Sequence, residues 1–235
     1  MRLQSLGRPE TTLFLLISVD GKISTGDVDA RDVDKDYPKI KGVREGLYQY
    51  YDIERRTDLH SLNTGRVMAK IGVNNRKTMP KKIPVSFIII DSKPHLNKSG
   101  ILYLTRWVKT LYLVTSNKRH PAFGMKEKNL KIIYYPRNID LKDLLVKLKK
   151  KYRVNRVTIQ SGGTLNAAFL REKLIDHLSI VVAPALVGGK DTSTLIDGKS
   201  LRSDKDLKYI RALKLKKCSV LKNSYIHLQY DVINR

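Results

Sequence analysis

Between Thr12 and Val182, short apolar runs alternate with segments of helical period, and this alternation restricts the chain more than any other feature. Thr12–Val19, Leu59–Thr64, Val85–Asp91, Ile101–Leu104, Thr110–Thr115, Lys131–Tyr135, Arg156–Gln160 and Leu178–Val182 read as strands. Between them, a helix of one or two turns follows Gly65 through Ile71. Asp140 caps another, with Leu141, Leu144, Leu145, Leu148 and Tyr152 on one face, and Thr164 starts a third with Leu165, Ala168 and Phe169 facing inward. Strands separated by helices imply a mostly parallel sheet covered on both faces. The ending differs: Leu213 and Leu215, then Ile226, Leu228, Tyr230 and Val232, alternate with polar residues, which predicts an antiparallel pair with one wet face. The expectation is one α/β domain over residues 1–235 with a mixed sheet. Gly26–Asp58 is polar, rich in aspartate and helical from about Val43, so it is either a lid or an inserted helix.

Composition removes several classes. With 41% hydrophobic and 29% charged residues the chain is globular. The single cysteine, Cys218, excludes an intrachain disulfide and any multi-cysteine metal site, so no metal is expected. Met1–Glu10 carries no apolar signal core, and the runs Leu13–Ile17 and Val85–Ile90 are too short to span a bilayer. The expectation is a cytoplasmic protein. The formal charge of +24 fits nucleic-acid binding or, more simply, a lysine-rich composition with a phosphorylated ligand. The second reading is favoured. The cations are dispersed, the densest group (Lys147 to Arg156) closes a helix, and no zinc-finger spacing or RNP-type aromatic motif accompanies them.

The strongest site signal is a strand, then Gly162-Gly163-Thr164, then a helix. Glycines let backbone approach a phosphate, and a helix start offers N–H groups at the positive end of its dipole. Gly65-Arg66, at another strand-to-helix turn, is a second phosphate candidate, whose guanidinium suits the 2′-phosphate that separates NADPH from NADH. The G-x-G-x-x-G fingerprint is absent. Gly198-Lys199-Ser200 is no P-loop, because Ser193 stands where that motif needs its first glycine. His60, His95, His120, His177 and His227 have no metal-ligand spacing and read as surface or internally satisfied residues.

Several motifs together resemble the riboflavin-biosynthesis reductases, including the C-terminal domain of the bifunctional deaminase-reductase. Ser18-Val19-Asp20-Gly21-Lys22-Ile23 is similar to the family's S-x-D-G-K/R segment after the first strand. Gln160-Ser161-Gly162-Gly163-Thr164-Leu165 resembles its E-G-G-x-T-L-like cofactor loop, with Gln160 for the usual glutamate. Leu174-Ile175-Asp176-His177-Leu178, Pro184-Ala185-Leu186-Val187-Gly188-Gly189 and Ile90-Asp91-Ser92 are similar to later segments, in the family's order. Val67 and Met68 near an expected threonine, and Ile71-Gly72-Val73 near an expected acidic segment, depart from the pattern.

The resemblance implies a three-layer dihydrofolate-reductase-like fold, often a homodimer. It implies hydride transfer from NADPH to a phosphoribosylamino-pyrimidine. Gly162, Gly163, Thr164 and Leu165 would hold the pyrophosphate, and Gly65, Arg66 and Ser92 the adenosine-side phosphate. Ser18, Asp20 and Lys22 would bind substrate, Lys22 at a phosphate. Asp20 would bond a substrate amino group or orient Lys22; a turn aspartate bonding its own backbone is the plainer alternative. Two rivals stand beside this reading. A dihydropterin reductase of the same fold needs no phosphate-binding cation, and a basic nucleic-acid-binding module without catalysis predicts steeply salt-dependent binding.

Overall fold

The computed structural model describes residues 7–234; residues 1–6, part of the segment read above for a signal core, and residue 235 lie outside the described residues. In chain order the elements are β1 (Glu10–Ile17), α1 (Val33–Asp36), α2 (Tyr48–Glu54), β2 (His60–Thr64), α3 (Gly65–Lys70), β3 (Ser86–Ile90), α4 (Lys98–Trp107), β4 (Leu111–Thr115), β5 (Leu130–Tyr134), α5 (Leu141–Tyr152), β6 (Arg156–Ile159), α6 (Gly163–Arg171), β7 (His177–Val182), β8 (Ala212–Val220) and β9 (Ile226–Ile233). The described residues form two compact units, one of residues 7–10 and 58–161, the other of residues 11–57 and 162–234.

In the first unit the strand order is β5-β4-β3-β2-β6, and every pair is parallel. The strands are nearly continuous apolar runs, as a sheet buried on both faces requires. Met68, Phe87, Ile89, Ile101, Leu104, Leu111 and Leu113 form one core cluster of this unit. Asp140 caps α5 as expected, accepting from Asp143 N at 2.9 Å, and Leu141, Leu144, Leu145 and Leu148 are its buried stripe. One expected strand is a helix: Ile101–Leu104 lies inside α4. Asn97 caps that helix through Gly100 N at 2.9 Å, and Ile101, Leu104 and Val108 recur at helical spacing on the buried side. A four-residue apolar run does not distinguish the two periods.

In the second unit β1 pairs parallel with β7, β9 runs antiparallel to β7, and β8 antiparallel to β9. The 26–58 segment carries α1 and α2. Its Val33, Tyr37, Val43, Leu47 and Tyr50 are buried with Phe14, Leu16, Val181 and Tyr225, so it is part of this unit's core. Two details depart from the sequence reading. On α6 Phe169 faces inward as expected, but Leu165 and Ala168 are only half-buried and Asn166 and Ala167 are buried instead, Asn166 being turned in to bond Leu195 O. The C-terminal pair is wet on both faces of β8: Leu213 is 43% exposed, Leu215 53% and Val220 84%. Among the described residues no helix is long and apolar enough to cross a membrane.

Candidate functional site

In the second unit the chain leaves β1 through Ser18–Ile23, and three side chains of this turn are committed. Buried Ser18 donates its hydroxyl proton to Asp20 Oδ1 at 2.5 Å and accepts Lys22 N–H at 2.9 Å. Asp20 also accepts the N–H groups of Val187 (3.1 Å) and Gly188 (2.7 Å). The Ser18 hydroxyl and, more weakly, these backbone donors lower its carboxyl pKa to about 2. Lys22 Nζ donates to the carbonyls of Gly189 (2.7 Å) and Thr192 (3.0 Å). Asp20 and Lys22 therefore clasp the 187–192 turn from its N–H side and its carbonyl side. The P-x-x-x-G-G motif supplies the backbone they grip, an arrangement that the spacing of the two motifs, more than 160 residues apart, could not reveal.

The same segment continues to the start of α6. Ser193 O accepts Ile23 N–H at 3.0 Å, and Leu195 N–H donates to Gly21 O at 3.1 Å. Leu195 O accepts from the fully buried Asn166 side chain at 2.9 Å, and Asp197 N–H donates to Gly163 O at 3.1 Å. A Cβ on Gly163 would overlap Thr194 O and the Asp197 carboxylate, so this glycine serves close packing. Gly162 is different. The space beside it is open, and α6 starts without a side-chain cap, leaving its first N–H groups to another acceptor. Thr164 is exposed and Leu165 half-buried. The expected residues Ser18, Asp20, Lys22 and Gly162 to Leu165 are thus tied together by one segment, residues 187–197. An open, uncapped helix start fits the pyrophosphate of a dinucleotide.

Gly65, Arg66 and Ser92 belong to the first unit. Gly65 opens α3 against Asp91, whose carboxyl group a Cβ at Gly65 would overlap. Asp91 is buried and was not among the expected site residues. It accepts His95 N–H (3.0 Å), Leu96 N–H (3.0 Å), the His95 ring (3.1 Å) and the His120 ring (3.1 Å). Burial alone would raise its pKa, but hydrogen bonds from His120, the His95 and Leu96 backbone and the His95 ring hold it below the usual carboxylate range. His120 is fully buried and accepts Ala122 N–H on Nδ1 at 3.2 Å, so Nε2 carries the proton given to Asp91. Both histidines are internally satisfied, as the sequence reading expected. Ser92 Oγ accepts Ser116 N–H at 3.1 Å, and the Arg66 side chain is on the surface. Gln160, which stands for the family's glutamate, accepts from Ser61 Oγ at 2.7 Å, and Ser61 Oγ accepts from Asn63 at 2.9 Å. The aspartate–histidine hub and the Asn63–Ser61–Gln160 chain went unnoticed because their members are scattered along the sequence and match no short motif.

A parallel sheet with glycine-opened helix starts at its strand ends, extended by an antiparallel C-terminal pair, defines the class: an α/β fold of dihydrofolate-reductase type. Within that class the chain belongs to the RibD C-terminal domain family, whose model matches residues 9–227. It is 27% identical over 202 residues to the 2,5-diamino-6-ribosylamino-4(3H)-pyrimidinone 5′-phosphate reductase of Methanothermobacter thermautotrophicus, covering 83% of this chain and 86% of the relative. It is 25% identical over 232 residues to the riboflavin biosynthesis protein RibD of Actinobacillus pleuropneumoniae, covering 97% of this chain but 58% of that protein. Among solved structures, RibD of Acinetobacter baumannii superposes with a TM-score of 0.68 at 20% identity, over 97% of this chain and 59% of that one. The Saccharomyces cerevisiae riboflavin biosynthesis reductase Rib7 superposes with a TM-score of 0.62 at 19% identity, over 99% and 93%. At these identities the structural likenesses carry the fold, and it is the fold expected from the motifs.

Proposed function

We propose that this chain is a reductase of riboflavin biosynthesis that uses NADPH to reduce the ribosyl group of a phosphoribosylamino-pyrimidine. The observation that carries this reading is the uncapped start of α6 beside the open face of Gly162, tied by one strap to a turn bearing Asp20 and Lys22. The names of the M. thermautotrophicus and A. pleuropneumoniae relatives agree with it. When bound, NADPH supplies a hydride to a carbonyl or imine carbon. The protein's share is positioning and electrostatics. Gly162, Gly163, Thr164 and Leu165 hold the pyrophosphate with backbone N–H groups, and Arg66, with Gly65 and Ser92, holds the 2′-phosphate end. Ser18 and Asp20 fix the 187–192 turn. Lys22 spends two N–H bonds on that turn and directs its third to the substrate phosphate. The protein acts in the cytoplasm as a homodimer, with the exposed apolar residues of β8 and β9 as the contact between copies.

Calorimetric titration of NADPH and NADH into the purified protein tests the reading. The expected result is saturable binding that prefers NADPH and is lost in Gly162→Asp, where the space beside the glycine is open. Absence of binding by either nucleotide in the wild type overturns it and directs attention to salt-dependent nucleic-acid binding.

A further inference from the structure

In the first unit, the two residues assigned above to the 2′-phosphate, Arg66 and Ser92, adjoin one carboxylate, Asp91, and so does His95. Asp91 Oδ1 accepts both the His95 backbone N–H (3.0 Å) and the His95 ring (3.1 Å). A Cβ at Gly65 would overlap that same oxygen, so the Gly65-Arg66 turn sits against it. Ser92 is the next residue along the chain. Its Oγ accepts Ser116 N–H at 3.1 Å, which leaves the hydroxyl proton to donate elsewhere. His95 therefore lies beside the Gly65-Arg66 turn and Ser92, although no motif marks it.

The hydrogen bonds fix the state of this ring. A carboxylate only accepts, so the proton of neutral His95 is on Nδ1, and Nε2 carries a lone pair. Nε2 bonds to none of the described residues, and 37% of the side chain is exposed. His95 O accepts from Asn74 Nδ2 at 2.7 Å, so the residue is anchored at its N–H, its carbonyl and its ring. His120, the other imidazole on Asp91, differs. It is fully buried, Nε2 donates to Asp91 and Nδ1 accepts Ala122 N–H, so both nitrogens are committed inside the fold. A lone pair aimed outward repels a phosphate oxygen. With a second proton the same nitrogen of His95 becomes a charged donor to it. The charged and titratable groups of the elements around the ring are Asp91 and His120, Arg66 on α3, Arg76 after Asn74, and Lys93 and Lys98 on its own segment. Asp91 is the only acidic one, and its carboxylate is already taken by four N–H donors. An anion to meet Nε2–H therefore comes with the ligand.

We propose that His95 is a proton-dependent ligand of the cofactor's 2′-phosphate, so that the preference for NADPH over NADH strengthens as the pH falls. The proposal rests on the reductase reading and adds to it a regulated residue at the adenosine end. The sign follows from the bonds above. Protonated His95 attracts the phosphate, whereas neutral His95 turns a lone pair toward it. NADH presents an uncharged hydroxyl there, so its affinity does not follow the proton.

The test is calorimetry at about pH 6 and about pH 8, across the range in which imidazoles change charge. The probes are adenosine 2′,5′-bisphosphate and 5′-AMP, which differ by the 2′-phosphate alone. In the wild type the preference for the bisphosphate rises about tenfold from the higher pH to the lower, the scale of one charged hydrogen bond. Bisphosphate binding also takes up protons, read as a heat that varies with the ionisation enthalpy of the buffer. His95→Gln keeps only the response that the phosphate's own titration causes. His95→Arg, a permanent cation, holds the preference at the higher pH. All three proteins bind 5′-AMP alike, which shows the fold intact. An equal pH response in wild type and His95→Gln overturns the proposal while the reductase reading stands. Equal weakening of both nucleotides in His95→Gln also overturns it, by making His95 a support of the turn. Failure of the wild type to bind either the bisphosphate or NADPH overturns the reductase reading itself.

Discussion

A single methyl group separates the roles of Gly162 and Gly163. At Gly162 an added Cβ meets open space, and the backbone, at φ −72° and ψ 157°, suits any residue. Gly162→Ala is expected to be at least as stable as the wild type, by up to about 1 kcal/mol, because the unfolded chain loses freedom and the folded one loses nothing. On the proposed reading its NADPH affinity falls, because the methyl would stand where the pyrophosphate approaches. At Gly163 the same methyl meets Thr194 O and the Asp197 carboxylate, so Gly163→Ala loses about 1–3 kcal/mol by overpacking. Urea unfolding and nucleotide titration on the pair separate the two effects. The sequence pattern Gly162-Gly163-Thr164 resembles a phosphate-binding turn but assigns both glycines the same task. The difference depends on Asp197, more than thirty residues further along, which is why it was not legible there. Asp91 carries the same lesson: the motif Ile90-Asp91-Ser92 was visible, whereas the packing of Gly65 on its carboxyl group and the two imidazoles it gathers were not.

At the scale of elements, one carboxylate adds a polar anchor to the apolar packing of the inserted segment. Asp36 accepts from Thr25 Oγ1 (2.5 Å) and Lys39 Nζ (2.9 Å) and lies 3.6 Å from Arg31. Hydrogen bonds from Thr25 and then Lys39 hold its pKa well below the ordinary 3.8. Because the folded pKa is depressed, this contribution is complete above about pH 4 and is lost as the pH falls through the folded value. Asp36→Asn is expected to cost about 1–2 kcal/mol at pH 7, low in the range for hydrogen bonds to a charged group because Lys39 and Arg31 face solvent. Below pH 4 the gap between variant and wild type narrows, which thermal unfolding at a series of pH values measures. The strands and α5 were legible because long apolar runs and a capped 3.6-residue stripe carry strong signals. Ile101–Leu104 does not by itself reveal a helix, because its run is short and the signals for α4, the Asn97 cap and the recurrence to Val108, lie outside it. In residues 26–58 the helix expected from about Val43 is α2, whereas α1 at Val33–Asp36 and the segment's place in the core are not legible in the sequence. Tyr37 and Tyr50 are buried by contacts with Phe14, Val181 and Tyr225, which are distant in sequence.

At the scale of the whole molecule, charge and the C-terminal pair act together. Leu213, Leu215 and Val220 on β8 are exposed beside Lys214, Lys216 and Lys217. If a second copy covers this face, two chains of formal charge +24 are brought together, and salt should strengthen the pairing by screening them. Light scattering is expected to give twice the 26.9 kDa of one chain, more completely at higher ionic strength, and the single-chain mass for Leu215→Lys. The division of the chain has another result, which concerns birth rather than function. Residues 58–161 form nearly all of the first unit without interruption, whereas the second joins 11–57 to 162–234. On the ribosome β1 emerges early, yet its partner β7 begins at His177, about 160 residues after Ile17. At roughly 5–20 residues per second, β1 and the inserted segment wait on the order of ten to thirty seconds, exposing Phe14, Leu16 and Tyr50, while the middle of the chain folds. Nascent chains stalled after β6 has emerged should show protease resistance in 58–161 and cleavage in 11–57, so the unit that carries the Asp20–Lys22 turn is the one most in need of a chaperone.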